Sequence, residues 1–207
     1  MAVSTISDCL TTVMDKQPTS DFIDRVSDRF IRIADEKGLV LYDDQPWRII
    51  ARFFARYFGW RKLNTEPPQK GLILYGPTGT GKTVLGTFLA NQINAKIETT
   101  RSIMEDVLET EGNYLSTYRS ITNSKAVLID DLGAEKDVKI YGNTYDITDI
   151  LYSRYDLFCS PNNKQYTIIT TNLTPDDVRR RYGDRIESRL YQMCVWIPFR
   201  GTDKRKL

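Results

Sequence analysis

The residues best suited to chemistry lie in one glycine-rich stretch, GPTGTGKTV at residues 76–84. Its spacing fits the pattern G-x-x-x-x-G-K-[S/T], in which backbone N–H groups converge on phosphate oxygens and a helix dipole adds positive charge. The pattern predicts that Lys82 contacts the β- and γ-phosphates of a nucleotide and that the Thr83 hydroxyl binds Mg²⁺. The other predicted nucleotide-contacting positions are Gly76, Pro77, Thr78, Gly79, Thr80, Gly81 and Val84.

Two adjacent acids follow an aliphatic run, AVLIDDLGAE, farther along the chain. We predict that Asp130, at the point where a strand ends, binds Mg²⁺ through water. Asp131 is the candidate for polarising the attacking water, although its side chain is one methylene shorter than that of glutamate. Glu135 is the alternative base. A turn or a helix cap is the competing interpretation of the acid pair.

A third aliphatic run, QYTIITTN, ends in Asn172. Its amide would reach the γ-phosphate and the attacking water if this strand lies between the two strands described above. A simple turn residue is the competing interpretation.

An arginine-rich segment, DDVRRRYGDRIESRL, follows and places Arg185 and Arg189 four residues apart, on one face of a helix. We predict that Arg189, with Arg185 as the second candidate, reaches the γ-phosphate bound by a neighbouring subunit. A salt-bridged surface is the alternative, because the arginines stand among carboxylates.

The elements that must position these residues are strands alternating with helices. Aliphatic runs predict strands at residues 72–75, 126–130, 166–171 and 195–199, with a weaker one at 95–100. This alternation predicts a parallel sheet covered by helices on both faces. A glycine-rich turn without a ligand fits residues 76–84 less well, because a strand precedes the turn and a helix follows it.

Composition narrows the classes of function. The 29 Lys and Arg nearly balance 27 Asp and Glu, so any binding to nucleic acid must be local. The chain has no histidine, which excludes imidazole acid/base chemistry and histidine metal sites. Cys9, Cys159 and Cys194 show no CxxC spacing, which argues against a zinc module or a disulfide framework and favours a reducing, cytoplasmic setting. No signal peptide or membrane span is predicted.

The order of four motifs, GPTGTGKT, VLIDDLGAE, IITTNLT and RYGDRIESRL, resembles the DnaC/IstB-type branch of the AAA+ ATPases. This branch contains replicative helicase loaders and the ATP-binding proteins of some transposons. The resemblance covers roughly residues 45–205. It implies an α/β P-loop NTPase of the AAA+ (ASCE) type, with a five-stranded parallel sheet in the order 5-1-4-3-2 and no C-terminal lid domain.

The same resemblance has implications for the site. ATP and Mg²⁺ would lie between adjacent subunits, and Asn172 would occupy the sensor 1 position. Arg205, in the C-terminal tail, would replace a sensor 2 arginine, although an ordinary charged terminus is equally consistent with the sequence.

Two amphipathic helical segments precede the sheet, at residues 20–38 and from Pro46 onward, with a linker at 64–70. We predict a small helical arm at residues 1–45, suited to docking a partner, and an ATPase domain at 46–207. An arm that packs on its own ATPase domain is the alternative.

Single-stranded DNA is a predicted partner at two segments. PWRIIARFFARYFGWRK, which begins at Pro46, interleaves arginines with aromatic rings and so suits both phosphates and bases. Core packing of the rings with a solvated arginine edge is the competing interpretation. NYLSTYRSITNSK, at residues 113–125, lies where related loaders carry a helical insertion.

The motifs predict a Mg²⁺-dependent ATPase that assembles with itself, and the resemblance implies that it loads or remodels a replicative DNA helicase. An IstB-like helper that acts on DNA and a transposase is the main alternative. A small-molecule kinase is disfavoured by Asn172 and by the absence of a recognisable lid. A switch that binds ATP without hydrolysing it is suggested by Asp131.

Overall fold

The computed structural model describes residues 20–36, 49–51, 53, 55, 70–110, 115–160, 165–201 and 203. The chain divides into two units, Met1–Gln69 and Lys70–Leu207. The assignment of residues 1–45 to a docking arm and of 46–207 to an ATPase domain stays a prediction.

The first unit contains helix α1 (Ser20–Glu36), which lies within the helical segment predicted at residues 20–38. Phe22, Val26 and Ile33 along the helix are each at most 4% exposed, which agrees with the predicted amphipathic spacing. Residues 49–51, 53 and 55 are also helical. Most of the arginine-rich segment that begins at Pro46 lies outside the described residues, so its contact with DNA stays a prediction.

The second unit alternates strands and helices as predicted. In chain order its elements are β1 (Gly71–Tyr75), α2 (Lys82–Gln92), β2 (Lys96–Thr99), α3 (Thr100–Glu109), α4 (Leu115–Thr122), β3 (Ala126–Leu132), β4 (Val138–Ile140), β5 (Asn143–Tyr145), α5 (Thr148–Cys159), β6 (Tyr166–Thr171), α6 (Pro175–Tyr182), α7 (Asp184–Met193) and β7 (Cys194–Pro198).

Five strands form one parallel sheet in the order β2-β3-β6-β1-β7. Counted along the domain this is the predicted order 5-1-4-3-2. The central strands are aliphatic because helices cover both faces of a parallel sheet. Ile73, Val127 and Ile169 are fully buried in its core. Strand β6 lies between β3 and β1. This is the strand position that the sequence analysis required for the Asn172 amide to reach the γ-phosphate and the attacking water.

The sheet differs from the prediction at the end of β3. The strand continues past Asp130 to Leu132, and its register with β6 shifts between Ile129 and Leu132. Hydrogen bonds from β6 side chains support the extension, since the Thr171 hydroxyl donates to the Leu132 carbonyl at 2.6 Å. Beyond this point β4 and β5 form an antiparallel hairpin that the sequence analysis did not predict.

The arginine-rich segment forms two helices. Helix α6 begins with a capping box between Thr174 and Asp177, and hydrogen bonds from Thr174 lower the pKa of the Asp177 carboxyl. Gly183 separates α6 from α7, so Arg185 and Arg189 share α7, as the spacing predicts.

A fully buried arginine, Arg154 of α5, joins α4 to β6. Its guanidinium donates to the carbonyl oxygens of Ile121 and Thr122 in the last turn of α4 and of Ser124 just after it. It also donates to the Tyr166 carbonyl and the Thr167 hydroxyl of β6. Burial lowers the pKa of Arg154. The carbonyl oxygens around it favour the charged form and so oppose this effect.

Two expectations from composition concern thiols and membranes. Cys159 and Cys194 are free thiols, and burial raises the pKa of Cys194 to about 12. Within the described ranges, no helix has the length and apolar character that crossing a membrane requires.

Candidate nucleotide-binding site

The predicted site residues lie where the strands of the parallel sheet end. Residues 76–81 follow β1, Asp130 and Asp131 lie near the end of β3, and Asn172 follows β6. In an open α/β sheet the carboxyl ends of the strands are where ligands bind. These three neighbouring strands therefore gather the phosphate-binding motif, the acids and the amide at one edge.

The glycine-rich turn, residues 76–81, has the backbone that anion binding requires. Gly79 and Gly81 adopt φ angles of 79° and 90°, which favour glycine. Helix α2 begins directly after Gly81, and no side chain caps its N-terminus. Pro77, Thr78 and Thr83 are exposed, and Val84 is 60% exposed. The turn thus offers the amides of a helix N-terminus to an anionic ligand.

Lys82 and Asn172 meet at the base of this turn. Lys82 is only 5% exposed. Its ammonium donates to the carbonyl oxygens of Gly76 at 2.8 Å and Pro77 at 2.7 Å, and to Asn172 Oδ1 at 2.9 Å. The structure therefore brings together the lysine and the amide that the sequence analysis assigned to the γ-phosphate.

The acid pair is held by β6 and α3. The Thr170 hydroxyl donates to Asp130 Oδ1 at 2.5 Å, and Asp130 is 6% exposed. Asp131 has a φ of 56°, a left-handed conformation that aspartate tolerates better than most residues. Its amide donates to Thr170 Oγ1, and its carbonyl accepts from the Thr100 hydroxyl. Hydrogen bonds thus hold the carboxylate of Asp130 and the backbone of Asp131.

Glu135, the alternative base, has a carboxylate occupied by three donors. It accepts from the Gly133 amide, from the Arg181 guanidinium and from the Tyr182 hydroxyl. Its side chain is 1% exposed. Burial, together with the Glu135 carboxylate, raises the pKa of Tyr182 well above its usual value, so Tyr182 remains a donor. These contacts fit a group that holds the loop after β3 better than a base that must receive a proton.

The two candidate trans arginines differ in their surroundings. Arg185 is exposed. The Arg189 guanidinium lies over the rings of Tyr152 and Tyr155, 4.3 and 5.0 Å from their centroids. Arg205 lies outside the described residues, so its nucleotide contact stays a prediction.

The chain after β7 also contacts the turn. The Phe199 amide donates to the Tyr75 carbonyl at 2.7 Å. A Cβ atom added to Gly79 would lie 1.8 Å from Asp203 Oδ1. The Asp203 carboxylate therefore lies against the glycine-rich turn, and position 79 has no room for a side chain.

Sequence analysis assigned no role to Thr170, Thr100 or Arg181, which hold the acids and Glu135 in place. A threonine inside a buried strand is a signal that its hydroxyl has a partner, since buried polar groups are hydrogen-bonded. The identity of that partner depends on strand register, which a single sequence does not provide.

The residues present fit a nucleoside triphosphate with Mg²⁺. An uncapped helix N-terminus and a buried ammonium suit phosphate, while the Thr83 hydroxyl and the Asp130 carboxylate are oxygen ligands that suit Mg²⁺. Magnesium sites of this kind use one or two protein oxygens together with phosphates and water. The described residues contain no group of three or more His, Cys, Asp or Glu side chains that could hold a metal ion.

A model of the family described as "ATPase family associated with various cellular activities (AAA)" matches residues 72–193. The match includes the glycine-rich turn, both acids, Asn172 and both candidate arginines. The chain therefore belongs to the AAA family of ATPases.

Solved structures share the fold. The crystal structure of DnaI has a TM-score of 0.59 and 22% identity, over 79% of this chain and 89% of that one. The crystal structure of a putative primosome component from Streptococcus pyogenes serotype M3 has a TM-score of 0.55 and 20% identity, over 80% of this chain and 86% of that one. The structure of the replication initiator DnaA bound to AMPPCP and single-stranded DNA has a TM-score of 0.51 and 16% identity, over 77% of this chain and 48% of that one. These similarities confirm the predicted AAA+ fold.

Curated relatives match over shorter stretches. The Holliday junction branch migration complex subunit RuvB of Mesomycoplasma hyopneumoniae (strain 7448) is 31% identical over 87 residues, 42% of this chain and 24% of that protein. RuvB of Oenococcus oeni is 23% identical over 145 residues, 64% of this chain and 40% of that protein. The chain thus spans less than half the length of these relatives.

Proposed function

We propose that the protein binds and hydrolyses ATP and uses this cycle to load or remodel a replicative DNA helicase. The observation that carries the ATP site is the meeting of Lys82 and Asn172 beside the uncapped N-terminus of α2. The helicase role is supported by the likeness of fold to DnaI and to a putative primosome component. It agrees with the motif order, which resembles that of helicase loaders.

Each residue at the sheet edge has a task in this proposal. Lys82 would exchange its carbonyl partners for phosphate oxygens, and Thr83 and Asp130 would hold Mg²⁺. Bound Mg²⁺ would neutralise charge that develops on the β- and γ-phosphates. Asn172 orients the γ-phosphate and the attacking water through its amide.

Asp131 is the base candidate that the structure favours. Its left-handed backbone is fixed from both sides, by Thr170 and Thr100. The Glu135 carboxylate is instead committed to Gly133, Arg181 and Tyr182. We therefore assign proton acceptance from water to Asp131 and positioning of the loop after β3 to Glu135.

The proposal includes self-association through the ATP site, with an arginine of one subunit completing the pocket of the next. Residues 1–45 would dock the helicase, and single-stranded DNA would bind the arginine-rich segment that begins at Pro46. Hydrolysis can drive release only if the helicase binds the two nucleotide states with different affinity.

The predicted DNA contact through residues 113–125 is less favoured. Tyr118 of α4 is partly buried, and its hydroxyl is hydrogen-bonded to Ser153 of α5. Packing against α5 therefore accounts for this ring.

The direct test measures ATP turnover and helicase capture by the same purified protein. We expect ATP hydrolysis that needs Mg²⁺ and changes when single-stranded DNA and a replicative helicase are added, together with nucleotide-dependent retention of the helicase. Unchanged turnover with no helicase retention would reject loading. Retention of a transposase on duplex DNA would instead favour the IstB-like alternative.

Replacing Arg189 with alanine is expected to lower turnover by about 10³-fold, the lower end of what an arginine finger contributes. If Arg189 acts in trans, mixing this variant with Lys82→Ala should restore activity in mixed assemblies, because each supplies what the other lacks. Steady-state ATP hydrolysis of the mixture measures this effect.

Arg189→Lys is the companion variant, since it keeps the charge above Tyr152 and Tyr155 but loses the planar guanidinium. Arg185→Ala is the matched control on the same helix. Loss of turnover in Arg185→Ala, with normal turnover in Arg189→Ala, would transfer the trans role to Arg185.

A further inference from the structure

We propose that Thr170 is a positioning residue that sets the geometry of both acids of the ATP site. The inference rests on the proposed function, because it gives Thr170 a task only if Asp130 and Asp131 serve bound ATP. Nothing in the motif marks Thr170, which is two residues before Asn172 inside β6.

The starting observation is a bulge between β3 and β6. Ile129 pairs with Ile169 and Leu132 pairs with Thr171, so Asp130 and Asp131 together face Thr170 alone. A bulge of this kind leaves a backbone group outside the regular ladder and redirects a side chain. Bulges are common beside active sites for this reason.

The Thr170 hydroxyl supplies hydrogen bonds where the regular backbone pairing of β3 and β6 is interrupted. It accepts from the Asp131 amide at 2.9 Å and donates to Asp130 Oδ1 at 2.5 Å. One oxygen atom thus fixes the backbone of one acid and the carboxylate of the other. Because the hydroxyl proton goes to Asp130, the carboxylate keeps its second oxygen for a ligand.

The Thr170 side chain is itself fixed by the helix that carries the phosphate-binding lysine. Thr170 is fully buried. A Cβ atom added to Gly86 of α2 would lie 2.9 Å from Thr170 Cγ2, so the threonine methyl packs closely on the helix backbone. A β-branched side chain in such contact has one favoured rotamer. Thr170 therefore contacts both the helix that carries Lys82 and the two acids.

Two substitutions separate the hydroxyl from the packing. Thr170→Val keeps the shape of the side chain but leaves the Asp131 amide and Asp130 Oδ1 without this partner. Thr170→Ser keeps the hydroxyl and removes the methyl group. If Thr170 acts through its hydroxyl, the valine variant is impaired and the serine variant is not. If Thr170 acts only by packing, the serine variant is impaired and the valine variant is not.

The experiment titrates Mg²⁺ against binding of a fluorescent ATP analogue to the full chain. We expect Thr170→Val to need about 10-fold more Mg²⁺ for half-maximal binding, as is typical when a partner of a metal ligand is removed. Thr170→Ser is expected to stay within about 3-fold of the wild type, below the loss typical for such a partner. Urea unfolding of each variant shows that the proteins compared are folded.

Thr122→Val is the matched control, because it also removes one buried threonine hydroxyl, which bonds to the Tyr118 carbonyl of α4. It should leave the Mg²⁺ requirement unchanged. A wild-type requirement in Thr170→Val, or equal impairment in the serine and valine variants, overturns the inference. Wild-type protein that binds no analogue at any Mg²⁺ concentration instead rejects the proposed ATP site.

Discussion

Replacing Lys82 with alanine is expected to lower kcat/KM for ATP hydrolysis by about 10²–10³-fold. This is the usual effect of removing one preorganised hydrogen-bond donor that stabilises charge in the transition state. The ammonium is almost fully buried at the turn that would receive the phosphates, with Asn172 as its neighbour. Its charge therefore acts where water provides little screening. Steady-state hydrolysis over a range of ATP concentrations gives the value.

Lys139→Ala is the control for this change, because Lys139 is an exposed lysine on β4. It should hydrolyse ATP at the wild-type rate. Circular dichroism must show that Lys82→Ala is folded, since the ammonium also ties Gly76 and Pro77 to the end of β6. A folded Lys82→Ala protein with wild-type kcat/KM would remove the basis for placing phosphate at this turn.

Replacing Arg154 with alanine is expected to lower the free energy of unfolding by about 3–5 kcal/mol, the range for truncating a large buried side chain to alanine. The substitution would leave buried acceptors on α4 and β6 without this donor, among them the carbonyl oxygens of Ile121 and Tyr166. It would also create a cavity, because Arg154 is among the largest fully buried side chains of the described residues. Equilibrium unfolding in urea measures the difference.

Arg101→Ala provides the comparison for Arg154. Arg101 is exposed and forms an i,i+4 ion pair with Glu105 on α3, and such pairs contribute about 0.2–0.5 kcal/mol. If Arg154→Ala cost no more than Arg101→Ala, the carbonyl oxygens around Arg154 would have to find other donors, and its role in joining α4 to β6 would be refuted.

Most of the fold could be predicted because a parallel sheet leaves a strong local signal. The runs that became β1, β3 and β6 are short and aliphatic, since each of these strands is buried on both faces. The β4–β5 hairpin left no such signal, because its strands have three residues each and are not fully buried. Its residues therefore resembled a loop.

The candidate site likewise contains residues that the sequence predicts and contacts that it does not. Gly76–Thr83 and the Asp130–Asp131 pair could be found because their spacing along the chain reflects local geometry. The partners of Glu135 and Asp130 could not, because Arg181 and Thr170 reach them across 46 and 40 residues of sequence. Strand register and helix packing decide those contacts.

Because the five strands run in one direction, the glycine-rich turn, the acid pair and Asn172 lie at the end of the sheet where the strands end, and the other end of the sheet carries none of them. Asn94 lies in the exposed turn before β2, at the end of the sheet where the strands begin, and β2 itself is about 13 Å long at about 3.3 Å per residue. A fluorophore attached through Asn94→Cys, in a background without Cys9 and Cys159, would stay clear of the glycine-rich turn. Energy transfer between such labels would measure the proposed self-association without a dye at the nucleotide-binding turn.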